Sequence, residues 1–172
     1  MTVHPAQIGR FYEDFAIGDV YQHPLGRTVS EADNTWFTLL TMNTNQNHFN
    51  AAVAERAPYG RMIVNSGLTV AIVLGLSVVD TSQQAIMNLG WEEIRLTHPV
   101  FAGDTIYAES VVTSARESNS RPYAGIVGFR TRGLNQDGEE VLSWRRTVLV
   151  YKRDAPHHQN YFPQAKSGQL AP

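Results

Sequence analysis

Cysteine is absent from the 172 residues, which rules out a disulfide framework, thiolate metal ligands and a cysteine nucleophile together. An excess of one charge is absent too, since 14 Lys and Arg face 16 Asp and Glu. That balance argues against nucleic-acid partners and against a polybasic membrane surface. Lysine is scarce. Twelve of the fourteen cations are arginine, whose planar fork suits phosphate and carboxylate better than an ammonium does. No hydrophobic run is long: the longest mostly apolar stretch, residues 67–79, falls short of the ~20 residues a membrane-crossing helix needs. The opening MTVHPAQIGR lacks the basic start and apolar core of a signal peptide, so a cytoplasmic location is the expectation.

What is present fits one domain with a sizeable core, 42% of the residues being hydrophobic. Residues 1–10 are expected to form an arm, 11–153 the domain and 154–172 an extended tail with three prolines. His157 and His158 in that tail read as a solvated pair; no metal site is expected. A first strand is expected over residues 20–25. Thr28 or Ser30 can then cap a helix, with Glu31 as the capping-box partner of Thr28. Trp36, Phe37, Leu39 and Leu40 give that helix an apolar side and it should stop near Met42. Residues 50–59 suggest a short helix ended by Pro58, and residues 65–80 a helix apolar nearly all round, hence buried. Strands are expected over 85–96, 105–115, 126–134 and 140–153 from their Val, Ile, Trp and Tyr, with NQDG at 135–138 as a hairpin turn. This order points to an α+β domain, an antiparallel sheet wrapped around one central helix. Such a sheet leaves an open edge with few charges, for which dimerisation is the expected remedy.

The chemistry concentrates in TMNTNQNHFN, residues 41–50, where Asn43, Asn45, Gln46, Asn47 and Asn50 surround His48. So polar a run should leave the preceding helix and present its side chains at a rim or cleft. Asn43 and His48 sit on different faces of a regular helix and converge only if the backbone bends between them. A capped or surface histidine is the plainer reading of these residues alone.

Three motifs in order give the chain a resemblance to the MaoC-like dehydratase family, the hot-dog-fold (R)-specific enoyl-CoA hydratases. The helix start TVSEAD (28–33) precedes MNTNQNHFN, which parallels the family's G-D-x-N-P-x-H-x-D; PYGRMIVNSGLT (58–69) matches the loop into the central helix; HPVFAGDTIYAES (98–110) carries the P-V-x-x-G-D-T-[IL] core. Asn45 and His48 match outright, whereas Asn43 stands where the family has its catalytic Asp. The resemblance implies a dimer, homodimeric or an oligomer of dimers, with an acyl-CoA thioester bound along the subunit interface. It requires no separate cofactor, since CoA is part of the substrate. It implies hydration of a 2-enoyl-CoA, with His48 as acid and base and Asn43 orienting the water. It also implies that the Gly67 amide at the helix start faces the thioester oxygen, although close packing explains a glycine there equally well. Asp33 or Glu31 is the alternative carboxylate for the missing base, and both also suit a helix cap.

Further binding candidates are Asn45, Asn65 and Ser66 around the helix start, with Arg116, Ser118, Ser120 and Arg121 as a grip for CoA phosphates. Arg61 and Arg95 could pair with a second carboxylate on a dicarboxylic acyl group such as mesaconyl or itaconyl, since N-T-N-x-x-H looks like the family members that handle such thioesters. A solvated loop accounts for any of these arginines as well. An acyl-CoA thioesterase on the same fold is the alternative enzyme, disfavoured because residues 65–76 hold no Asp or Glu. A non-catalytic acyl-CoA-binding subunit is the third possibility.

Overall fold

The computed structural model describes residues 8–156, 163 and 165–168; the His157–His158 pair lies outside them. Six strands form one antiparallel sheet: β1 (Val20–Gln22), β2 (Arg27–Thr28), β3 (Ala85–Leu96), β4 (Thr105–Glu117), β5 (Ala124–Leu134) and β6 (Glu140–Tyr151). Their order is β1-β4-β5-β6-β3, with β2 pairing the other half of the β4 edge used by β1. Three helices precede β3: α1 (Glu31–Leu40), α2 (Ala51–Ala54) and the central α3 (Ser66–Thr81).

The core lies where α3 crosses the inner face of the sheet. Leu68 and Val73 meet Val100, Ile106, Ala108, Leu142 and Trp144 there. Gly133 permits that approach, because a Cβ on it would lie 2.5 Å from Val73 Cγ2. A second apolar cluster, Phe15, Val112, Val127, Phe129, Val148 and Val150, fills the far end of the sheet. The end of α3 is fastened by a buried polar chain. His23 Nδ1 meets Asp80 Oδ2 at 2.9 Å, His23 Nε2 meets Ser110 Oγ at 2.9 Å, and Ser110 meets Thr131 at 2.7 Å. This Ser–His–Asp order is structural, for Ser110 is buried beyond the reach of a substrate.

Two expectations about helices are corrected. The central helix is buried on one side only: Leu68, Thr69, Val73, Ser77 and Thr81 are covered, while Gly67, Ala71, Gly75 and Val79 form an exposed stripe at four-residue spacing. A sheet can cover one side of a helix but not all round it. In α1 the sides are reversed. Its buried residues are Asn34 and Thr38, with Phe37 packed against the core, whereas Trp36 is 75% and Leu40 81% exposed. Of the two expected caps it is Ser30 that closes α1, with Asp33 and not Glu31 as its reciprocal partner, because Thr28 is taken by β2.

Candidate active site

The polar run after α1 leaves the helix through a bend. Met42 adopts φ 57°, and the amides of Met42 and Asn43 return to Leu39 and Thr38 carbonyls at 3.0 Å each, the two bonds of a left-handed helix cap. Asn43 Oδ1 then accepts from the Asn45 amide (2.9 Å) and Asn45 Oδ1 from the Asn47 amide (3.1 Å), building a short 3-10 turn over Gln46–His48. These turns carry His48 inward, where it is only 6% exposed. Asn50 caps α2 directly after it.

The imidazole is held by one bond. His48 Nδ1 lies 2.9 Å from the Ile63 carbonyl; a carbonyl only accepts, so Nδ1 donates, and in the neutral ring the lone pair then belongs to Nε2. That tautomer is what a general base needs, with Nε2 unpartnered among the described residues.

The start of α3 stands beside this turn. Asn65 caps it, its Oδ1 accepting from the Gly67 amide at 2.9 Å and its Nδ2 donating to Thr38 Oγ1 at 3.2 Å. The Gly67 amide is therefore engaged by the cap, and a thioester oxygen reaches it only by sharing or replacing Asn65 Oδ1. The neighbouring Ser66 amide has no acceptor among the described residues, and both residues are exposed. A Cβ on Gly67 would stand 3.2 Å from Asn65 Oδ1 and 3.2 Å from Phe37, so approach and packing both bear on this glycine. A cleft of about 210 Å³, lined among others by Tyr59, Ile63, Ser66, Thr69, Leu96 and His98, opens at the helix start.

The sequence motifs did not reveal Asn34, which links the two halves. It is 3% exposed, donates through Nδ2 to the carbonyls of His48 (2.8 Å) and Ile63 (3.0 Å), and accepts from the Asn65 amide through Oδ1 (2.8 Å). An asparagine four residues before a threonine on a helix, both between apolar positions, was the available signal.

The candidate arginines are scattered. Arg61 lies across the Phe101 ring at 3.6 Å and lines a second, larger cavity of about 540 Å³ with Glu31, Asn34 and Glu55. Neither cavity is lined by His48 or Gly67; the smaller cleft includes Ser66 and Ile63, whose carbonyl holds His48, and is on that ground the candidate for the reacting atoms. Arg95 is not brought to the site: its register partner is Ser143, while Leu96 pairs with the core residue Leu142, so alternation sends Arg95 to the outer face. Arg116 lies at the far end of β4, ten residues beyond Ile106 and hence ~30 Å along the strand, and Arg121 lies in the turn after it, where its amide donates to Ser118 Oγ at 3.2 Å. Within one chain they do not converge with His48. Asp33 is committed to Ser30 and, at 2.8 Å, to Arg27, and the Ser30 bonds hold its carboxyl below the usual carboxylate range; it is a cap and not a base.

Comparison with known proteins agrees with this architecture. The family model described as Mesaconyl-CoA hydratase matches residues 3–161. The chain belongs to this MaoC-like family. A mesaconyl-CoA hydratase of Cereibacter sphaeroides is 40% identical over 151 residues, 85% of this chain and 42% of that protein. The chain thus spans less than half the length of the curated relatives it matches. Among solved structures, a protein described as a MaoC domain dehydratase from Chloroflexus aurantiacus superposes with a TM-score of 0.80 at 32% identity, covering 93% of this chain and 46% of the other. A Mycobacterium tuberculosis protein described as having a double hotdog fold superposes at TM-score 0.77 and 20% identity over 94% of this chain and 48% of its own, a likeness of fold alone. The wrapped sheet of this family member is a hot-dog fold. No helix among the described residues is long and apolar enough to cross a membrane.

Proposed function

We propose that this chain catalyses the reversible addition of water to a 2-enoyl-CoA thioester with a short branched or dicarboxylic acyl group of the mesaconyl or itaconyl type. The observation that carries the reading is the buried imidazole of His48, whose Nδ1 is tied to a carbonyl beside the amide-bearing start of α3. In the hydration direction, Nε2 takes a proton from a water whose oxygen bonds to the β-carbon. The π electrons shift to the α-carbon and the thioester oxygen gains enolate charge. The first amides of α3, Ser66 and Gly67, supply donors and the positive end of the helix dipole to that oxygen. The imidazolium then returns the proton to the α-carbon, so one histidine serves both transfers and every atom of water is placed. Asn43, its Oδ1 held by the Asn45 amide, offers its NH₂ to the water but cannot take a proton. No cofactor is needed beyond the CoA of the substrate, and acyl-CoA chemistry suits the cytoplasm.

The working unit we propose is a pair of hot-dog units, here two copies of this chain. Strand β3 is the last in the order and exposes Met87, Leu89, Trp91, Ile94 and Leu96; α3 has its exposed stripe and α1 its apolar outer face. A second unit pairing at that edge would cover all three, and its Arg116 and Arg121 would be free to approach a CoA from the other side.

The test is a panel of short, branched and dicarboxylic enoyl-CoA thioesters assayed for both hydration and release of free CoA. Hydration supports the proposal; CoA release alone marks a thioesterase, and tight binding with neither marks a binding subunit.

A further inference from the structure

The base and the oxyanion amides come from different parts of the chain, and a single buried side chain spans the gap between them. From the ring outward, His48 Nδ1–H donates to Ile63 C=O (2.9 Å), Asn34 Nδ2 donates to that same carbonyl (3.0 Å) and to the carbonyl of His48 itself (2.8 Å), and Asn34 Oδ1 accepts from Asn65 N–H (2.8 Å). Asn65 Oδ1 in turn accepts from Gly67 N–H (2.9 Å). The path from imidazole to helix start is continuous, and Asn34 is its only member from α1.

The donors of Asn34 and the acceptor sites of the Ile63 carbonyl are all used in this arrangement. The Ile63 oxygen has two lone pairs and receives two donors; the Asn34 amide has two N–H groups and gives both. No other side chain supplies the set, because a carboxylate lacks donors and a glutamine is one carbon too long for three fixed backbone partners. At 3% exposure, water does not replace it cheaply.

We infer that Asn34 is a positioning residue, fixing the tautomer and placement of the His48 imidazole relative to the amides at the start of α3. It touches no reacting atom. The inference rests on the hydratase reading for its kinetic consequences but not for its structural ones, so the two can fail separately. The charged groups around it are Glu31 on α1, Glu55 after α2 and Arg61 in the following turn, which line the cavity beside it; the first turn of α3 contributes none.

Two variants test it, Asn34→Ser and the isosteric Asn34→Asp, assayed well below their melting temperatures with the folded state verified by circular dichroism. For Asn34→Ser, kcat should fall about 100-fold, as misplacement of a catalytic group does, with KM within about threefold. For Asn34→Asp, a negative charge beside the Ile63 carbonyl favours the imidazolium, so the acid limb of kcat should move about one unit to higher pH. A readout independent of turnover is the nitrogen spectrum of ¹⁵N-histidine-labelled protein: wild type should show His48 protonated at Nδ1 alone when neutral, and Asn34→Ser a mixture of tautomers. Folded variants that keep a single tautomer and an unmoved pH limb would overturn the inference, even if kcat fell. Should wild type hydrate no enoyl thioester, the spectra alone decide it, while the hydratase reading falls.

Discussion

Two buried polar residues do opposite things at the residue scale. Asn34 is satisfied on every atom, whereas Arg146, 4% exposed, has only Asn88 as partner, at 2.8 Å, and no carboxylate among the described residues. Burial alone pulls its guanidinium down to about 10. An uncompensated buried charge opposes folding, and a hydrophobe of similar volume often replaces it without loss. Arg146→Met should therefore unfold in urea within about 1 kcal/mol of wild type or later; a loss above about 3 kcal/mol would mean the guanidinium has a stabilising partner the single chain does not display. The sign with pH follows. Because its folded value lies below its ordinary one, the unfolded chain holds the proton longer, and the Arg146 contribution to stability should improve as pH rises from about 10. His48 and its polar turn were legible in the sequence through motif order. Asn34 was not, because its role depends on three backbone groups that are 14, 29 and 31 residues away.

The long strands are the elements that sequence located best. Strand β3 begins and ends where its Ile, Leu and Trp pattern predicts, and β4, β5 and β6 shift by about two residues at one end each. The two-residue β2 and the 3-10 turns escaped, since they arise from pairing and from asparagine side chains rather than from any periodic pattern. Helix α1 misled more instructively. Its apolar residues predict a core-facing side, yet the structure buries the asparagine–threonine side because that side carries the scaffold of the site. The cap of α1 can be tested directly. Ser30→Ala should cost about 1 kcal/mol by urea melts, as loss of an N-cap does, and no change would contradict the cap. The Asp33 contribution should be full above the ordinary carboxylate pKa of ~4 and fade as pH falls through its depressed folded value, a dependence that Asp33→Asn removes. At the crossing of α3 and β5, Gly133→Ala places a methyl against Val73 and should destabilise by about 1–3 kcal/mol, measured in the same melts.

At the scale of the whole molecule, the paired unit proposed above rests on where the apolar surface lies. Apolar side chains stand exposed on the outward faces of α1, α3 and β3, and a second hot-dog unit is the cover we propose for them. The double variant Met87→Lys with Leu89→Glu should reduce the mass found by light scattering from that of two chains to that of one, while wild type at one chain would dismiss the paired unit. Fold class was readable before any coordinates because a single helix followed by four alternating strands has few ways to close. The acyl group was readable only as a family expectation, because the depth of a pocket is not written in a list of side chains. The most direct measurement is hydration of mesaconyl-type and simple short enoyl-CoA thioesters by wild type and by His48→Ala of verified fold. The account predicts turnover by wild type and a loss of at least about 1,000-fold in kcat for the variant, near the range acid–base catalysis supplies. Comparable turnover by folded His48→Ala would contradict it.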